Sequence, residues 1–261
     1  MNTISPLAFV HPDAKIGDDV IVEPFAYVDQ NVEIGDGTLI MTQATLLSGA
    51  RIGKKCTIFP HATVSAIPQD LKFRGEESLA IIGDGTVVRE CATVNRGTAS
   101  KGYSVVGENC LLMAYSHVAH DCVLKDYVIL GNATQLAGEV EVGDFAILSG
   151  GTLVHQFSRI GAHAMIQGGS KVSKDIPPFI MAGREPISYV GLNVVGLRRR
   201  QFNSEQINTV QETYRLLYQS GLNVSQALER IVSDVPQSAE RDEIVNFVRA
   251  SSRGIVRGNL D

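Results

Sequence analysis

The sequence predicts a parallel β-helix built from six-residue repeats, followed by a small helical domain, so the fold class is mainly β. Three observations carry this expectation. Aliphatic residues recur at every sixth position through Ile4, Val10, Ile16, Val22, Val28, Ile34, Ile40, Leu46, Ile52, Ile58 and Val64 without a miss. The same count resumes at Ile82, Val88 and Val94, and runs again without a break from Val106 to Val172. A period of six is neither the period of about 3.6 of a helix nor the period of about 2 of an ordinary strand, and it belongs to hexapeptide β-helix arrays. Beyond Val172 the period disappears and helical signals take over.

In the repeat region each hexad supplies one short strand and one corner. Three hexads make a triangular coil, and successive coils stack about 4.8 Å apart. The 26 hexads amount to nearly nine coils, a prism about 40 Å long. Two residues per hexad face inward, the aliphatic and a smaller residue four places later, such as Ala14, Ala26, Ala44, Ala62 or Cys122. The position directly after the aliphatic is often glycine (Gly17, Gly35, Gly53, Gly83, Gly107, Gly131, Gly143, Gly161), which reads as a corner requiring unusual φ/ψ. The rule fails at 65–79 and 95–104. Both segments re-enter in phase modulo six, so they leave the prism without disturbing it, and long loops on a regular scaffold are disproportionately functional. The arithmetic leaves open whether 65–79 replaces part of a coil or is added to one.

After Val172, Pro177 and Pro178 are expected to stop the strand. A helix over about 204–219 follows, capped by Asn203 or Ser204, with Ile207, Val210, Tyr214 and Leu217 on one face. Asn223 and Gln226 form a capping pair for a helix near 224–234, and a third helix near 238–252 carries Ile244, Phe247 and Val248. The expected division is a β-helix domain at 1–185 and a helical domain at 186–261.

Composition narrows the class of partner. With 261 residues, 44% hydrophobic and 20% charged, the chain has a real core and is not disordered. A net charge of −5 argues against nucleic acid. No secretion signal opens the chain and no apolar run of 18 or more residues occurs, so a cytoplasmic protein without a transmembrane segment is expected. Cys56, Cys91, Cys110 and Cys122 have no CxxC spacing and read as small reduced core residues.

From Val106 onward, residues 18 apart stack on one face. Val118, Leu136 and Val154 therefore bring His117, His120 and Asp121, then Gly138 and Glu139, then His155 and Gln156 into one ladder. His120, two places past an inward valine, faces outward, and an imidazole titrates in the range that suits a general base near neutral pH.

The segments HVAHDC (117–122), PQDLK (68–72), VHQF (154–157), the Pro177-Pro178 break, GLRRR (196–200) and the terminal helices together resemble the UDP-N-acetylglucosamine 3-O-acyltransferase family, over the whole chain. The resemblance implies a left-handed β-helix and a homotrimer with active sites between subunits. It also implies transfer of an (R)-3-hydroxyacyl group from acyl carrier protein to the 3-hydroxyl of UDP-N-acetylglucosamine, opening lipid A biosynthesis. Carried onto this chain, His120 is the general base, Asp121 polarises it and the Gly138 N–H stabilises the oxyanion. Substrate binding falls to Gln69, Asp70, Lys72, His117, His155, Gln156, Asn193, Arg199 and Arg200, and Gly168 falls at the position that limits acyl length, where a glycine leaves room for a long chain. No metal or resident cofactor is implied, because the carrier's phosphopantetheine bears the thioester. Lys72, Arg74 and Arg198–Arg200 are expected to attract the acidic carrier. Two departures stand out: Glu139 replaces the family's histidine and Val195 an acid. Rival expectations on the same fold are a coenzyme A-dependent acetyltransferase and a carbonic anhydrase-like zinc enzyme using His117, His120 and His155. The hexads begin at Ile4, which argues against the sister N-acyltransferase, whose prism follows an extra domain.

Overall fold

The computed structural model of the protein describes residues 1–258. The repeat aliphatics from Val22 to Val172 are buried and fill the axis of a three-sided prism. Its first face begins with Thr3–Ile4, its second with Phe9–Val10 and its third with Lys15–Ile16. They form sheets of eleven, nine and eight strands respectively. Within each sheet the coil-to-coil pairing is parallel, with partners 18 residues apart in regular coils, as in His117↔Gln135 and Val118↔Leu136. Across the first interruption the offset becomes 30 (Ile58↔Val88) and across the second 24 (Val88↔Leu112). Both segments are therefore insertions, and neither replaces any part of a coil. Each leaves the second face and returns on the third, at Thr63–Ala66 to Leu79–Ile82 and at Thr93–Asn95 to Tyr103–Val106. The two loops thus stack at one corner in successive coils.

The corners correct the reading of the glycines. The residue with positive φ is the third after the aliphatic, and it is more often another residue than glycine: Asp19, Asn31, Lys55, Asn109, Asp121, Glu139 and Phe145 all sit there at φ 53–60. None of the eight glycines directly after the aliphatic has positive φ. Those positions need glycine because the next coil lies too close. A Cβ on Gly83 would lie 2.5 Å from the carbonyl carbon of Gly107, and one on Gly35 would lie 2.6 Å from that of Gly53. A non-glycine residue in the left-handed region costs roughly 1–2 kcal/mol, which the stacked coils on either side offset.

Three of the cysteines are core residues as expected, with the Cys122 thiol pushed up to about 12 by burial. Cys91 instead occupies a half-buried corner at φ 58.

The proline pair does not end the prism. Ile176 bridges to Ile160 on the third face, and Ile180–Gly183 pairs in parallel with Met165–Ile166 on the first. The prolines occupy the corner between these faces, where a missing N–H breaks no ladder bond. Pro178 rests on Gly161, whose Cβ would lie 2.3 Å from its nitrogen, and its carbonyl accepts from the buried Tyr214 hydroxyl at 2.6 Å. Strand Ser188–Leu192 then folds back antiparallel on Ile180–Gly183, so the expected division at 185/186 falls in the turn of this hairpin.

Among the described residues four helices follow, one more than expected: α1 (Val194–Arg199), α2 (Ser204–Gln219), α3 (Val224–Asp234) and α4 (Ala239–Arg249). The unforeseen α1 is too short to show a helical period. Asn203 and Asn223 each form a full capping box with the glutamine three residues on. In α4 the buried face is Ile244, Val245 and Val248, while Phe247 is half-buried and carries the Arg159 guanidinium 4.7 Å above its ring. The chain then returns to the prism, where Ile255 bridges Asp175 and Arg257 bridges Ser188.

Candidate active site

The chemistry gathers at the corner between the second and third faces. His120 and Asp121 occupy it one coil after the second loop, just past strand His117–Val118. The Asp121 carboxylate is fully buried and has four donors. Oδ1 accepts from the Thr98 N–H at 3.0 Å and the Lys101 N–H at 3.1 Å. Oδ2 accepts from the Thr98 hydroxyl at 2.7 Å and pairs with His120 Nδ1 at 2.8 Å. Burial alone would push this carboxyl up. The bonds from Thr98, His120 and the two amides outweigh burial and hold it below the usual carboxylate range. An ionised carboxylate only accepts, so His120 Nδ1 carries the hydrogen and Nε2 presents its lone pair.

Nε2 lies 4.0 Å from Oδ2 of Asp70, and the His120 side chain is 19% exposed. Asp70 is held in the first loop by a tight turn in which Oδ1 accepts from the Lys72 N–H at 2.9 Å and the carbonyl accepts from the Phe73 N–H at 3.0 Å. Gln69 and Lys72 flank it on the exposed side. Gly138 lies under the imidazole from the next coil. A Cβ there would lie 2.5 Å from both Cε1 and Nε2 of His120, so only glycine admits the ring. Among the described residues, the Gly138 N–H donates to no protein acceptor. Glu139 points to the second loop, accepting from the Ser100 hydroxyl at 3.0 Å. Gln156, a further coil along, is exposed.

A groove of about 1060 Å³ runs across the second face beside this corner. His117, Gln135 and His155 line it together with Leu136, Leu153, Val154, Ile187 and Val256. His117 Nδ1 lies 2.7 Å from the Thr93 hydroxyl, and burial, with His120 nearby, lowers the ring's proton affinity. His155 meets the Arg253 guanidinium at 3.2 Å. Gly168 is exposed at the other edge of the same face, between the first and second faces. Thus His120, Asp121, Gly138 and Asp70 meet at one edge of the groove, His117 and His155 line it, and Gly168 marks its far edge.

Asn193, Arg199 and Arg200 do not join them within one chain. They lie at the corner between the third and first faces, where Tyr127, Phe145, His163 and Phe179 stack ring on ring. Arg200 lies 4.3 Å over Phe145 and Arg199 is exposed. Asn193, expected to touch nucleotide, is 6% exposed and spends its side chain on the α1 cap and the His163 carbonyl, so it frames the arginines from beneath. Val195 stands exposed beside them. Among the described residues, no group of three His, Cys, Asp or Glu gathers as a metal site, and no helix is long and apolar enough to cross a membrane.

Comparison with known proteins agrees with this architecture. Residues 103–138 match the bacterial transferase hexapeptide family, and residues 175–256 match the family described as UDP-N-acetylglucosamine O-acyltransferase, domain 2. The acyl-[acyl-carrier-protein]–UDP-N-acetylglucosamine O-acyltransferase of Chlorobaculum parvum is 46% identical over 97% of each chain. The protein of that name from Thermodesulfovibrio yellowstonii is 40% identical over 98% of this chain and all of its own. This chain belongs to that family. The family's solved structures superpose on it over nearly their whole length. The UDP-N-acetylglucosamine acyltransferase of Bacteroides fragilis is 55% identical with a TM-score of 0.96, covering 97% of this chain and 99% of its own. That of Francisella novicida is 38% identical with a TM-score of 0.95, covering 99% and 95%. As a member, the chain is an acyltransferase with the left-handed parallel β-helix fold.

Sequence reasoning missed the second loop's part in the site. Thr98, Ser100 and Lys101 are ordinary loop residues in the sequence, and only the stacking of coils sets them against Asp121 and Glu139. The one signal was the interruption itself, after which the hexads resume at Val106, two hexads before Val118.

Proposed function

We propose that the protein transfers an (R)-3-hydroxyacyl group from acyl carrier protein to the 3-hydroxyl of UDP-N-acetylglucosamine, in the cytoplasm and as a homotrimer. The observation that carries the reaction chemistry is the saturated Asp121 carboxylate, which leaves His120 Nε2 as a proton acceptor beside an apolar groove. Nε2 takes the proton of the sugar hydroxyl as its oxygen attacks the thioester carbonyl. The negative charge that develops on that carbonyl oxygen meets the uncommitted N–H of Gly138. Asp121 and Asp70 together favour the positive charge the ring has gained. Collapse of the tetrahedral intermediate expels the phosphopantetheine thiolate, which takes the proton back from His120, leaving an ester and a free thiol. The reaction then needs no resident metal or cofactor.

In this reading Asp70 and Lys72 hold the sugar, and the leucine- and valine-lined groove suits the acyl chain, with the exposed Gly168 leaving its far edge open. Arg199 and Arg200 suit a pyrophosphate. Because they lie at another corner of the same chain, a site that uses them and His120 together lies between subunits. Incubating the protein with UDP-N-acetylglucosamine and a series of (R)-3-hydroxyacyl carrier proteins, and weighing the products, tests the reading. One acyl-shifted nucleotide sugar, lost in His120→Ala, is expected; no shifted mass with any carrier-bound donor refutes it.

A further inference from the structure

We infer that Thr98 is a positioning residue of the reaction, orienting the His120 imidazole through Asp121. The inference rests on the reading of His120 as the base. The Thr98 hydroxyl accepts from the Ser100 N–H at 3.1 Å, which commits its own hydrogen to Asp121 Oδ2, the same oxygen that holds His120 Nδ1. The Thr98 N–H holds the other oxygen. One residue therefore supplies two of the carboxylate's four donors, and it is buried.

The loop that carries Thr98 is built to keep it still. The Gly102 N–H closes back on the Thr98 carbonyl at 2.7 Å. At its neck the Gly97 N–H donates to the Leu79 carbonyl at 3.1 Å, and a Cβ on Gly97 would lie 2.2 Å from the Tyr103 nitrogen. The Ala99 N–H donates at 3.0 Å to Glu76 of the first loop, which also accepts from the Arg74 N–H at 2.8 Å. A continuous set of hydrogen bonds thus runs from the loop that carries Asp70 to the carboxylate behind the base. A catalytic imidazole is effective only when its ring is held in one tautomer and one orientation, and that work falls to groups that never touch substrate.

Thr98→Val removes the hydroxyl at nearly constant volume and keeps the backbone donors, whereas Thr98→Ser keeps the hydroxyl. In the full-length protein, Thr98→Val is expected to lower kcat about tenfold, with the KM for the nucleotide sugar unchanged and with serine restoring the rate. A carboxylate with one donor fewer holds the imidazolium proton more tightly, so the acidic limb of the kcat/KM profile moves to higher pH. The other charged groups around the pair are Asp70 and Lys101 from the two loops, Glu139 from the next coil and His117 from the preceding strand, and the substitution leaves them all in place. A kcat equal to wild type overturns the inference. So does a loss of rate that leaves the pH limb unmoved and that serine does not rescue, which marks a merely structural residue. His120→Ala separates the two readings. If it is inactive while Thr98→Val is normal, only the role of Thr98 falls; if it turns over like wild type, the base assignment falls first.

Discussion

Gly138→Ala isolates the geometry of the base from the stability of the fold. Gly138 does not have positive φ, so alanine meets no backbone strain there. Its Cβ would stand 2.5 Å from Cε1 and Nε2 of His120, whereas ordinary carbon contacts begin at about 3.4 Å. The ring must therefore withdraw by about 1 Å. The 2.8 Å bond to Asp121 opposes that movement, because the carboxylate is fixed by three further donors. A misplacement of about 1 Å costs about 10²-fold in rate, and complete loss of general-base assistance costs about 10²–10⁴-fold. The expected kcat is therefore 10²-fold or more below wild type, equivalent to about 3 kcal/mol of transition-state stabilisation. Steady-state turnover with carrier-bound donor measures it, and thermal unfolding within a few degrees of wild type confirms that the prism is intact. A folded Gly138→Ala protein with kcat within threefold of wild type would show that His120 does not act from the position it occupies here.

Two more outcomes follow from the separation of the corners. If the site lies between subunits, His120→Ala and a double Arg199→Ala, Arg200→Ala variant should each be nearly inactive alone. Refolded together, they should regain about a quarter of the wild-type sites, because random closed trimers pair one intact half with another at that frequency; no recovery would place the whole site in one chain. The second outcome concerns His163, whose pKa burial, with Arg200 nearby, lowers to about 4. Unfolding then takes up a proton below about pH 6.5, so the stabilisation is complete above that pH and is lost as pH falls towards 4. The ring is only partly shielded, and screening by solvent reduces the effect to about 1 kcal/mol. His163→Phe, which continues the stack of Phe145 and Phe179, should flatten this part of the melting-temperature profile; an unchanged slope would assign the acid sensitivity elsewhere.

Much of the site was legible because the hexad count turns sequence positions into places on a prism. An unbroken run from Val106 to Val172 is enough to set Gly138 one coil from His120 and Gln156 one coil further. The count is silent on anything that leaves the prism. Asp70 lies 50 positions from His120, and nothing local shows that its loop returns to the same corner. The histidine ladder was also too simple, since His155 belongs to the groove and not to the corner of His120. Asn193 is ambiguous for a different reason. Its residue type suits nucleotide binding and helix capping equally, and only the structure shows that it caps α1 and donates to the His163 carbonyl.

What the sequence by itself determines here is local and periodic. The inward aliphatics, the face each strand joins and the capping boxes at Asn203 and Asn223 depend on residues within a few positions of one another. The tertiary structure decided what depends on close approach between coils. It made glycine necessary at positions such as Gly35 and Gly83 through contact with the next coil, and it let Pro178 sit on Gly161 without ending the prism. It also gathered four donors from two segments around the buried Asp121 carboxylate. The physical reason is the short spacing between coils. At about 4.8 Å, a single added atom or a single hydroxyl in one coil changes what the next can hold.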